Sequence, residues 1–80
     1  MKKGVNNMKR SERLALEGKI EVNCGSFEIA TVITGAELCR RASMLRYLCT
    51  DFEALFNGRE VSADVYEDEW NDGALFAVIE

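Results

Sequence analysis

Residues 34–58, TGAELCRRASMLRYLCTDFEALFNG, decide how this chain is read. Thr34 stands three residues before Glu37, the spacing of a capping box in which each side chain bonds the other's backbone N–H. Ile33 and Leu38 flank that cap as a hydrophobic staple. Leu38, Ala42, Leu45, Cys49, Phe52 and Phe56 then recur at helical spacing, with Met44, Leu48 and Leu55 beside them. Asn57-Gly58 supplies a C-terminal stop. The spacing predicts one long helix with a wide apolar face. Thr50-Asp51-Phe52-Glu53 repeats the capping pattern, so a bend near Thr50 would split it into two.

On the N-terminal side the period changes to two. From Arg13 onward, Leu14, Leu16, Ile20, Val22 and Cys24 share one parity, with polar residues on the other and Gly18 marking a start or a bulge. A second strand follows from Phe27 to Ile33. Gly25-Ser26 reads as a two-residue hairpin loop, which would pair Cys24 with Phe27, Val22 with Ile29 and Ile20 with Thr31. On the C-terminal side, Val61, Ala63 and Val65 alternate with polar residues, and Leu75, Ala77 and Ile79 form a matching run. Glu67 to Gly73 joins them as a loop. The expected fold is α+β: a four-stranded, mostly antiparallel sheet of order ββαββ, with one long or bent helix packed on one face.

Residues 1–12 form an expected flexible basic arm, possessing at most a helical turn around Met8 to Arg13, and residues 13–80 a single domain. Eighty residues sit near the lower limit for a core without staples. No apolar run is long enough to cross a bilayer, and MKKGVNN lacks the apolar stretch of a signal peptide. The three cysteines are an odd count at irregular spacing, so Cys24 and Cys49 read as buried free thiols in a reducing, cytoplasmic compartment.

Catalysis finds little support. There is no histidine, the usual base at neutral pH. Cys39, beside Arg40 and Arg41, is the one candidate for a reactive thiol, and it lacks a base. The six glycines are dispersed and form no phosphate loop. Asp68-x-Trp70-x-Asp72-Gly73 opens like a calcium loop, but its third position is tryptophan and its twelfth is Ile79. No enzyme, cofactor or metal is expected.

Charge is more informative. Residues 1–50 hold nine Lys/Arg against five Asp/Glu, a balance of +4, whereas residues 51–80 hold Arg59 against nine acids, a balance of −8. The basic group Lys2, Lys3, Lys9, Arg10, Arg13, Arg40, Arg41 and Arg46 lacks interleaved aromatics, and the net charge of −4 opposes direct nucleic-acid binding. The acidic loop around Trp70 points to protein binding: an aromatic anchor with a carboxylate rim that steers a basic surface towards it. Glu67, Asp68, Glu69, Trp70 and Asp72 are the candidate contact residues, with Asp64 and Glu60 extending the field. Such a chain would be an inhibitor or adaptor acting on a basic, nucleic-acid-handling protein, as phage or mobile-element anti-defence proteins such as anti-CRISPR proteins do. This is analogy of size and charge. The rival reading is a self-associating assembly protein, a homodimer through the apolar helix face or a sheet edge.

Overall fold

The computed structural model describes residues 8–80 of the chain. Its elements in order are helix α1 (Arg10–Leu16), strands β1 (Lys19–Asn23) and β2 (Phe27–Val32), and helix α2 (Gly35–Arg41). A 3-10 turn (Ala42–Met44) leads into strands β3 (Leu45–Phe56), β4 (Arg59–Asp68) and β5 (Ala74–Ile79). The strands close into a barrel in the order β1-β2-β5-β4-β3. The expected four-stranded α+β sheet with a helix across it is therefore corrected: this is a mostly β five-stranded barrel with two short helices.

The difference lies in residues 45–56, a strand where the spacing predicts helix. Helix α2 does begin at the expected cap, where Thr34 Oγ1 accepts from the Glu37 N–H at 3.1 Å. Its carboxylate does not complete the box, because it turns to Arg40 and Arg41 instead. The helix stops at Arg41. Beyond it, β3 pairs antiparallel with β4, and the register shifts between Tyr47 and Cys49 and again between Asp51 and Ala54. Each bulge inserts residues that have no partner opposite them. Two bulges break the alternation of a strand: Leu48, Cys49, Ala54 and Phe56 pack inward at irregular intervals while Phe52 stands exposed, so no period of two marks the segment. Helical spacing is imitated by an irregular strand. Asn57 and Gly58, with φ of 56° and 77°, form the two-residue loop between Phe56 and Arg59 that favours these residues in hairpins.

Two further expectations are corrected near the N-terminus. The helical turn allowed around Met8 to Arg13 is present but runs on as helix Arg10–Leu16, with Glu12 accepting from the Lys9 N–H at 3.1 Å, so the strand expected from Arg13 begins only at Lys19. Residues 1–7 of the expected arm lie outside the described residues. The β1–β2 hairpin has a three-residue loop, Cys24-Gly25-Ser26, and pairs Ile20 with Ala30 and Glu21 with Ile29. That is one residue away from the expected register, and a one-residue slip exchanges the faces of a strand. Ala30 is buried, while Phe27 and Ile29 face outward. The β4–β5 hairpin follows its alternation, pairing Val65 with Ala77 and Ala63 with Ile79.

The core consists of Ile20, Val22, Ala30, Ala54, Ala63, Val65 and Ala77. Most are alanine, which lets the barrel walls approach closely and leaves few large side chains to hold them. Cys24 and Cys49 are not free thiols: a disulfide joins them, with Cα atoms 6.0 Å apart, tying the β1–β2 loop to β3. This removes the cysteine ground for a reducing compartment. Among the described residues, no helix is long and apolar enough to cross a membrane.

Candidate protein-binding surfaces

The β4–β5 connection places the sequence-predicted residues unevenly. Asp68, at the end of β4, is 6% exposed and organises the turn rather than its rim. Its carboxylate accepts from the Trp70 N–H at 3.0 Å, and its carbonyl accepts from the Asn71 and Gly73 N–H groups, both at 3.1 Å. Asp72 and Gly73 close the turn in the left-handed region. Held this way, Trp70 is 85% exposed. Glu67 and Glu69 flank it, and Arg46 on β3 bonds both, at 2.6 and 2.8 Å. These two carboxylates hold the Arg46 proton more tightly than usual. The tip is thus less negative than its sequence implies, by one shared cation.

Asp64 and Glu60 do not join this tip. On β4, Glu60 lies eight residues from Asp68, about 26 Å along a strand. Asp64 sits mid-strand opposite Thr50, whose hydroxyl donates to Oδ1 at 2.6 Å. Since the Thr50 proton is so committed, the Tyr47 hydroxyl donates to Thr50 Oγ1 at 2.7 Å. Tyr47 packs edge-on against Tyr66, with centroids 5.6 Å apart. Burial, then the nearby Asp64 charge, pushes the Tyr66 phenol above its ordinary range. Glu80 is likewise raised, first by its hydrogen bond to the Asp64 carboxyl. A neighbouring carboxylate makes ionisation of Glu80 less favourable.

Sequence reasoning missed an apolar surface. Phe27 is 79% exposed and Ile29 36%, both assigned to the interior by the expected register. One signal could have found them: Ala30 and Val32 share a parity that serves as the inward one as well as Ile29 and Thr31 do, where strands crowd together. Leu16 and Phe52 are also exposed, at 76% and 71%, as is the free thiol Cys39. Comparison of the chain with protein-family models, with curated proteins and with solved structures found no match.

Proposed function

We propose that this chain is a small non-enzymatic protein-binding module, an inhibitor or adaptor, that docks its acidic C-terminal hairpin on a basic partner. Trp70 carries the reading. A tryptophan left 85% exposed at a turn braced by Asp68 is an anchor without a pocket. Seating it in a partner would recover about 25 cal/mol for each Å² of apolar surface removed from water. Glu67, Glu69 and Asp72 around it favour a basic surface and speed the encounter with one. Basic surfaces in cells are largely those that hold nucleic acid, so the partner is a nucleic-acid-handling protein and the effect competitive inhibition. An anti-defence protein of a phage or mobile element, such as an anti-CRISPR protein, acts in this way. The site of action is then the cytoplasm. Reductants there act against the Cys24–Cys49 bond, so this reading requires a barrel that folds with both thiols reduced.

The test is a plasmid-interference assay in cells carrying RNA-guided nuclease systems, with and without the protein. Wild type is expected to restore plasmid survival against at least one system, and Trp70→Ala to lose that protection at equal expression. Protection that survives Trp70→Ala unchanged would overturn the docking site.

A second reading keeps the sheet-edge form of self-association. β3 meets β1 in a single register pair, Glu21 with Leu55. Leu45 to Thr50 therefore pair with β4 alone, leaving an edge that can accept another strand. Sedimentation equilibrium over a wide concentration range separates this reading, which needs an oligomer, from the first.

A further inference from the structure

The outer face over the β1–β3 seam is grooved. Register puts Ile29, Glu21, Leu55 and Glu60 in one row across β2, β1, β3 and β4. Phe27 lies in the next row, opposite Asn23. Two adjoining grooves of about 420 and 370 Å³ run over this face and share Phe27 and Leu55 as their common wall. The floor is apolar: Phe27, Ile29 and Leu55. The rim is acidic: Glu28 beside the first groove, and Asp51, Glu53 and Glu60 around the second.

The ion pairs show what this rim wants. Arg10 lines the first groove and pairs with Glu21, its Nε 3.2 Å from the carboxylate. Among the described residues, Glu28, Asp51, Glu53 and Glu60 have no Lys or Arg within ion-pair distance. Asp51 spends its oxygens on the backbone N–H groups of Asn23 and Glu53, which fixes its carboxylate beside the groove with no cation paired to it among the described residues. An apolar floor edged by four carboxylates that pair with no cation among the described residues fits neither an acidic chain nor a nucleic acid, whose phosphates it would repel. A purely aliphatic ligand would bury carboxylates without replacing their water.

We propose that this groove holds a segment of a partner protein in which aliphatic or aromatic side chains are interspersed with lysine and arginine. The apolar side chains would cover Phe27, Ile29 and Leu55, and the basic ones would meet Glu28, Glu53 and Glu60. The site is separate from the Trp70 tip and goes beyond that reading, because either surface can fail its test while the other stands.

The test uses two short synthetic peptides, one of alternating leucine and lysine and one of alternating leucine and glutamate, titrated into the isotope-labelled full chain and followed by amide resonances. The leucine–lysine peptide is expected to shift resonances around Phe27, Ile29, Glu53 and Leu55, and the leucine–glutamate peptide to shift none. Phe27→Ser with Leu55→Ser should weaken binding at least tenfold. Glu28→Lys with Glu53→Lys, which leaves the apolar floor intact, should weaken it comparably. Trp70→Ala should leave it unchanged. Shifts centred on the tip, or affinity indifferent to both double variants, would overturn the proposal. So would concentration-dependent self-association lost in Phe27→Ser, which would make a second copy the occupant. Peptide binding that appears only when residues 1–7 are deleted would assign the groove to this chain's own basic N-terminus, and overturn it equally.

Discussion

At the end of β5, Glu80 lies close enough to Asp64 for one carboxyl to feel the other's charge. Glu80, bonded to the Asp64 carboxyl, holds its proton above the usual glutamate range. A carboxyl bound more tightly in the folded chain than in the unfolded one stabilises below its unfolded pKa, and that contribution is lost as pH rises through the folded value. Glu37 has the opposite sign: Arg41 and then Arg40 hold it below its ordinary range, so its contribution is present at neutral pH and lost on acidification. Glu80→Gln removes the repulsion with Asp64, and should raise the melting temperature at about pH 7 but not at about pH 2, below the usual carboxyl range. Thermal melts at the two pH values check this, and an equal difference at both would mean that the two carboxyls do not communicate. The residue scale also shows the limit of charge counting. Asp68 is acidic in sequence but structural in place, and Glu67 and Glu69 share Arg46. Local counting found the acidic concentration. It could not see a cation brought by β3 from about twenty positions away.

At the scale of elements, what was legible depended on locality. The Thr34 cap and the β4–β5 hairpin are set by neighbours in sequence, and both are present. β3 is set by β4, β1 and two bulges, and its inward residues Leu48, Cys49, Ala54 and Phe56 then follow no period of two. Asn57-Gly58 is the residue pair that could have corrected the reading, since it suits a tight hairpin better than a helix end. The β1–β2 register failed by one residue for a related reason: the loop takes Cys24 as well as Gly25 and Ser26, and Cys24 is tied to Cys49 on β3. That bond also bears on stability, because β1 and β3 otherwise share one register pair and the bond from the Asn23 N–H to Asp51. Its 25-residue separation predicts a loss of about 3 kcal/mol in the variant Cys24→Ser with Cys49→Ser. Urea denaturation measures the loss, and thiol titration of the native wild type should find Cys39 alone reactive. Three reactive thiols in native wild type would show that the bond does not form.

The whole molecule is a narrow barrel in which alanine makes up half of the buried apolar residues and several large apolar side chains stand outside. Phe27, Phe52, Leu16 and Trp70 are each more than two-thirds exposed. An 80-residue chain has little apolar surface to spare, and leaving this much in water lowers its own stability. A binding module accounts for that arrangement, since a partner would cover what the fold does not. The overall charge asymmetry was visible in sequence, but its division between the tip and the seam grooves depends on barrel closure. The most direct measurement is quantitative affinity capture from a lysate of cells in which the protein protects plasmids, comparing wild type with Trp70→Ala at low and high salt. The account predicts a basic, nucleic-acid-handling protein retained by wild type, released as salt rises, and reduced at least tenfold by Trp70→Ala. Equal retention of the same proteins by wild type and Trp70→Ala would contradict it.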